Sequence, residues 1–125
     1  MRFLVVDDSA TMRRIIVNSL DRIGHADVVE ADDGVTALER FAEGDIGFII
    51  TDWNMPQMSG LEFARCVRGR ADGAAIPILM VATRSAREDI LAAVEAGVND
   101  YVLKPFTPTA LKEKVDAILS VRAAA

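Results

Sequence analysis

Short, unbroken apolar runs alternate along the chain with longer stretches whose apolar residues recur at three- and four-residue steps. The first run, Phe3 to Val6, meets Asp7-Asp8-Ser9. Unbroken rather than alternating hydrophobicity marks a strand covered on both faces, as in a parallel sheet. Met12, Ile15, Ile16, Leu20 and Ile23 then form one apolar helical face, capped by Ser9 or a neighbour and stopped by Gly24. Asp27 to Ala31 predicts a shorter second strand and Asp32-Asp33-Gly34 a turn. Val35, Leu38, Phe41 and Ala42 predict a helix ending near Gly44. The third strand carries Phe48 to Ile50 and finishes on a carboxylate, Asp52, before a loop from Trp53 to Met58. Ser59-Gly60-Leu61 opens a helix with Phe63, Ala64 and Val67 on its inner side, and Gly69 to Ala75 is a loop. Ile76 to Val81 is a fourth strand, ending at Ala82-Thr83. Ser85 and Glu88 form a capping box for a helix carrying Ile90, Leu91 and Val94 and stopped by Gly97. Tyr101 to Leu103 is the fifth strand. Thr107 caps a last helix that turns Leu111, Val115, Ile118 and Leu119 inward and ends near Val121.

Five rounds of strand then helix predict a doubly wound α/β sandwich, a five-stranded parallel sheet with helices on both faces. Right-handed crossovers bring the C-terminal end of every strand to the same edge, where sites form in open α/β sheets.

The length, 125 residues, predicts a single domain over 1–125 with nothing left for a fused output domain. A net charge of −5 excludes a globally basic footprint, so neither nucleic acid nor a membrane surface is an expected partner. Arg13-Arg14 and the group Arg65, Arg68 and Arg70 read as solvated helix faces. Cys66, the single cysteine, falls in an apolar-periodic segment and reads as a small core or boundary residue. Neither a signal sequence nor an apolar run long enough to span a bilayer is visible, and a cytoplasmic location is expected. His25, the only histidine, follows Gly24 and reads as a surface residue rather than a ligand.

At the shared edge the first strand supplies Asp7 and Asp8, the third Asp52, the fourth Ala82 and Thr83, and the fifth Lys104. Two unit charges about 4 Å apart repel by about 4 kcal/mol at an effective dielectric of roughly 20. Three carboxylates together therefore stay ionised only with a cation among them. Hard oxygens with no Cys or His nearby suit Mg²⁺. A carboxylate beside Mg²⁺ can be a nucleophile, with an aspartyl phosphate as its product. Phosphoryl transfer then needs an in-line oxygen and cations on the equatorial oxygens, one of which Lys104 can supply.

These residues resemble the receiver domain of bacterial response regulators, and more narrowly its single-domain chemotaxis members. The similarity spans essentially the whole chain. It rests on Phe3-Leu4-Val5-Val6-Asp7-Asp8, Thr11-Met12-Arg13-Arg14, Asp33-Gly34, Asp52-Trp53-Asn54-Met55-Pro56, Met58-x-Gly60-Leu61, Leu79-Met80-Val81 and Lys104-Pro105-Phe106-Thr107. The resemblance implies a flavodoxin-like strand order of 2-1-3-4-5. It makes Asp52 the phosphoacceptor. Asp8, Asp52 and the Asn54 backbone carbonyl become Mg²⁺ ligands, with Asp7 helping through water. Lys104 would contact the phosphoryl group, the Lys104–Pro105 bond would be cis, and Tyr101 would be a rotameric switch.

One position departs from that pattern. Receiver domains usually end strand four on Thr or Ser, and here Ala82 stands at that place with Thr83 one later. Side chains alternate along a strand, so Thr83 points away unless the strand end bulges. Either Thr83 takes over through a local backbone change, or the hydroxyl contact is missing and coupling to Tyr101 is weaker; the second is favoured. Arg84 and Asn54 occupy the places where the family tunes attack of water on the phosphoryl group, and Arg84 replaces an acid found in related chains.

The expected function is a phosphorylation-driven switch. A sensor histidine kinase of the chemotaxis type phosphorylates Asp52, and a monomer signals by protein–protein binding, with the flagellar motor switch as first candidate target. The chain is thus not expected to be an enzyme in the usual sense, although it promotes its own phosphorylation and dephosphorylation. A phosphate sink or a non-chemotaxis stand-alone receiver shares the same site. A Mg²⁺-dependent phosphohydrolase is a further alternative, but the second residue after Asp52 is Asn54, not an acid. A nucleotide- or flavin-binding domain would want a glycine- or hydroxyl-rich loop where Asp7-Asp8 stands.

Overall fold

A computed structural model of the chain describes residues 1–83, 87–104 and 106–124. The strands are β1 (Arg2–Val6), β2 (Val28–Ala31), β3 (Ile46–Asp52), β4 (Ile78–Ala82) and β5 (Asp100–Leu103). The helices are α1 (Ala10–Arg22), α2 (Gly34–Ala42), α3 (Gly60–Arg68), α4 (Arg87–Glu95) and α5 (Pro108–Ala124), with a 3₁₀ turn at Ala71–Gly73. The sheet order is β2-β1-β3-β4-β5 and every pairing is parallel. The expected fold class and strand order are therefore present.

The two faces of the sheet explain the unbroken apolar runs. Leu4, Val6, Ile49, Ile78 and Met80 face one buried cluster with Ala37 and Phe41 of α2, Phe63 and Val67 of α3, and Ala93 of α4. Their neighbours Phe3, Val5, Phe48, Ile50, Leu79 and Val81 face the other, with Ile16 and Leu20 of α1 and Leu111, Val115 and Ile118 of α5. A strand apolar only at every second position would leave one of these layers without a partner.

Local chemistry sets the helix starts. Ser9 Oγ accepts from the Met12 amide at 3.2 Å, Asp33 Oδ1 from Thr36 at 2.7 Å, and Ser59 Oγ from Glu62 at 3.2 Å. Thr107 Oγ1 accepts from Ala110 at 3.0 Å. Such caps satisfy amides that have no partner within the helix. Asp33 is thus a capping acid rather than only a turn residue. The chain after α1 reverses at Gly24, whose φ of +92° lies in the left-handed region that glycine enters at low cost.

Several individual expectations are corrected. Ile15 is exposed while Ser19 is buried. The Ser19 hydroxyl donates to the Ile15 carbonyl at 2.8 Å, so it is satisfied inside the helix and can face the core. Leu91 and Val94 are exposed, and the small residues Ala93 and Ala96 are the ones packed inward. Cys66 is exposed, one step around α3 from buried Val67. His25 is half-buried, its ring 4.8 Å from that of Phe3. α5 runs on to Ala124, past the expected end near Val121. The Ser85–Glu88 capping box, Arg84 and the Lys104–Pro105 bond lie outside the described residues. Among the described residues no helix is long and apolar enough to cross a membrane.

Candidate functional site

The C-terminal ends of β1, β3 and β5 converge on one small polar cluster. β1 ends at Val6, so Asp7 and Asp8 begin the β1–α1 loop, and Asp52 is the last residue of β3. One carboxylate oxygen from each of Asp7, Asp8 and Asp52 lies within 4.8 Å of the others. Lys104, just past β5, places Nζ 3.1 Å from Asp52 Oδ1 and 3.5 Å from Asp7 Oδ2. Residues far apart in sequence meet here because parallel strands share one edge.

Asp7 and Asp52 are buried and Asp8 is exposed. Neither buried acid lacks a partner. Asp7 Oδ1 accepts from the Ser9 amide at 2.9 Å, and Asp52 Oδ1 accepts from the Trp53 amide at 2.8 Å as well as from Lys104. Burial nevertheless pushes the Asp7 carboxyl above its ordinary value. The Ser9 amide pulls it down, the Asp52 charge pushes it up again, and Lys104 lowers it. Desolvation and the neighbouring acid together outweigh the donors. The cluster therefore holds more negative charge than Lys104 alone neutralises, and its donors are hard oxygens. Both features fit a hard divalent cation.

The surrounding framework is specific to this geometry. The Asp7 amide donates to the Ala31 carbonyl at 3.1 Å, and the Asp7 carbonyl accepts from Arg13 Nη1 at 2.7 Å. The Gly60 amide donates to the Trp53 carbonyl at 2.8 Å, fixing the start of α3 against the end of β3. Trp53 itself is buried in the apolar cluster to which α2 and α3 contribute, one peptide away from Asp52.

The remaining candidates fall into two groups. Ala82 is 1% exposed and shares an apolar cluster with Trp53, against which Tyr101 packs. Thr83 lies in the bend beyond β4 and is exposed. Tyr101 is half-buried on β5, with Lys114 Nζ 5.8 Å from its ring centroid. Asn54 is exposed in the loop after β3. The structure thus brings Asp7, Asp8, Asp52 and Lys104 together, and sets Ala82 and Tyr101 against one cluster beside them.

Arg13 and Gly60 help to build the site without standing out in the sequence as site residues. The signal for Gly60 was present: a glycine directly after a cap residue, close behind a strand-end acid. For Arg13 none was, since a basic residue in the first turn of a helix ordinarily faces solvent.

The doubly wound topology and the acidic cluster opposed by a lysine at its C-terminal edge agree with the family that the chain matches. The family model of the response regulator receiver domain matches residues 3–116, and the chain belongs to that family. Within it the similarity is to chemotaxis proteins. The chain is 50% identical to chemotaxis protein CheY1 of Helicobacter pylori over 120 residues, covering 95% of this chain and 97% of that protein. It is equally identical to the CheY homologue of Campylobacter jejuni, covering 95% and 92%. Among solved structures, the chemotaxis response regulator CheY4 of Vibrio cholerae superposes with a TM-score of 0.89 at 32% identity, over 94% of this chain and 97% of that one. The receiver domain of sensor histidine kinase PA1611 of Pseudomonas aeruginosa, with a magnesium ion coordinated in its active site cleft, gives 0.84 at 25% identity, over 93% and 94%. The chain is a CheY-like receiver domain of a two-component system.

Proposed function

We propose that Asp52 accepts a phosphoryl group from a chemotaxis-type sensor histidine kinase, and that the phosphorylated domain acts by binding another protein in the cytoplasm. The flagellar motor switch is the first candidate target. The observation that carries this reading is the Lys104 ammonium 3.1 Å from Asp52, at the edge where the three carboxylates converge.

Asp8, Asp52 and the Asn54 carbonyl would hold Mg²⁺, with Asp7 acting through water. Bound there, the ion supplies a second positive centre for the phosphoryl oxygens. An Asp52 carboxylate oxygen attacks phosphorus as the N–P bond of the kinase phosphohistidine breaks. The imidazole nitrogen leaves with the bonding pair and is protonated by solvent. Lys104, 3.1 Å from Asp52 Oδ1, lies where it can meet the incoming negative charge. Tyr101 and Ala82 keep the switching role and Asn54 and Arg84 the tuning role that the resemblance implies, while the exposed place of Thr83 beyond β4 does not support it as the substitute phosphoryl contact.

The buried, hydroxyl-free Ala82 favours a second reading. A receiver that accepts phosphate but couples it weakly to Tyr101 would serve as a phosphate sink.

The test is intact-mass spectrometry after incubation with a small phosphodonor and Mg²⁺. One phosphoryl adduct is expected on the natural chain and none on Asp52→Asn. An equal adduct on both would remove Asp52 from the role.

A further inference from the structure

The Thr11-Met12-Arg13-Arg14 segment contains one arginine whose contacts the site chemistry does not use. Arg13 sits in the first turn of α1, yet its guanidinium turns back across the loop. Nη1 donates to the Asp7 carbonyl at 2.7 Å and Nε to Glu30 Oε1, on β2, at 3.2 Å. The side chain is only 19% exposed, unlike that of a solvated helix arginine. A guanidinium presents its donors in a rigid fork, so holding one end at Glu30 aims the other at the carbonyl.

That carbonyl belongs to the peptide joining Asp7 to Asp8. The peptide is planar, so fixing its oxygen also fixes its amide and the direction in which the Asp8 Cα leaves. The amide of Asp7 is already held by the Ala31 carbonyl and its carboxylate by Ser9. The Asp8 side chain is exposed, so no burial restrains it. Its approach to Asp7 and Asp52 is set from the backbone.

We infer that Arg13, oriented by Glu30, is a positioning residue that aims Asp8 into the cation pocket. The inference rests on the proposed Mg²⁺ site. It predicts an effect opposite in sign to simple electrostatics. Removing a positive charge near an acidic cluster should strengthen cation binding. Losing a positioning contact should weaken it.

Mg²⁺ titration followed by Trp53 fluorescence distinguishes the two. Wild type should respond and Asp8→Asn should not; a silent wild type would overturn the metal site itself. Arg13→Met should bind Mg²⁺ about tenfold more weakly, the scale of lost outer-shell support at metal sites. Arg13→Lys, which keeps charge but not the fork, should also weaken binding, and Glu30→Gln should add little on top of Arg13→Met. In the metal-free protein, the Asp8 amide should exchange faster in Arg13→Met than in wild type. Mg²⁺ affinity unchanged or raised in Arg13→Met, with wild type responding, would overturn the positioning role alone. If Arg13→Met does not fold, Arg13→Lys and Glu30→Gln carry the same comparison, and wild-type affinity in both would overturn it.

Discussion

The α-carbon of Gly60 faces the backbone of Asp52 so closely that a Cβ built on it would lie 2.1 Å from the Asp52 carbonyl oxygen. No side chain fits there without moving either the end of β3 or the start of α3. Helix propensity alone predicts that Gly→Ala stabilises by about 0.5–1 kcal/mol. Here the obstacle is backbone rather than a flexible side chain, and overpacking of this kind costs about 1–3 kcal/mol or more. Gly60→Ala should therefore lower the urea midpoint. It should also weaken Mg²⁺ binding, because Asp52 is the residue displaced. A midpoint equal to or above wild type would show that the helix start relaxes freely.

The raised Asp7 carboxyl gives a pH dependence with a definite sign. Burial lets the folded protein hold the Asp7 proton to higher pH than the unfolded chain does. The folded state then binds more protons, and stability falls as pH rises from the ordinary value through the folded one. In metal-free protein above the ordinary carboxylate range, Asp7 is a net cost to folding. Asp7→Asn should accordingly be more stable than wild type with chelator present. The gain should shrink as pH falls from the raised folded value to the ordinary carboxylate value, below which both states carry the proton. Saturating Mg²⁺ should reduce or reverse the difference, since the cation binds the folded wild type better. Denaturant midpoints at two pH values, with chelator and with Mg²⁺, check all three statements. A destabilised, metal-free Asp7→Asn at neutral pH would show that the Lys104 contact outweighs desolvation.

Ala82 and Thr83 separate cleanly by burial, and they predict opposite mutational behaviour. A hydroxyl installed by Ala82→Thr enters a packed place and should cost about 1–3 kcal/mol in the resting protein. If it reaches a phosphoryl oxygen, one hydrogen bond to a charged group returns about 1.5–3 kcal/mol. The stabilisation given by beryllium fluoride with Mg²⁺, a phosphoryl mimic, should thus be larger in Ala82→Thr than in wild type. Thr83→Val should leave that stabilisation unchanged. A loss in Thr83→Val would mean the exposed threonine closes onto the phosphoryl group after all.

Sequence carried the fold because the strands are covered on both sides, and an unbroken apolar run is a strong local signal. It also carried the acids and Lys104, because parallel topology forces strand ends to one edge whatever lies between them. The errors share a different cause. Periodicity counts residue types, so it placed Ile15, Leu91 and Val94 inward and passed over Ser19, whose hydroxyl is satisfied within its own helix. Charge alone makes Arg13 and Arg68 solvated faces, because it says nothing about which distant carbonyl a long side chain reaches. Those contacts exist only after the chain has folded.

Arg68 illustrates the point at the edge of the sheet opposite the acids. Its Nε donates to the Gly97 carbonyl at 2.9 Å, and Nη1 donates to the carbonyls of Gly73 and Ile76 at 2.7 and 2.6 Å. Nη2 reaches Asn99 Oδ1 at 3.0 Å, and the same oxygen accepts from the Ile78 amide at 2.8 Å. One guanidinium thereby ties together the end of α3 and the segments leading into β4 and β5. Burial lowers its pKa from the ordinary value, but an arginine remains charged. Arg68→Met keeps the stem that packs over Gly97 and deletes only the donors. Carbonyls left without them should cost about 2–3 kcal/mol. Because the contacts lie at the N-terminal ends of the strands, Mg²⁺ affinity and phosphoryl uptake should hold at wild-type values wherever the variant is folded. Urea denaturation beside a Mg²⁺ titration makes the comparison. A variant of wild-type stability would mean that water replaces the guanidinium, and a weakened Mg²⁺ site would mean that the two edges of the sheet are coupled.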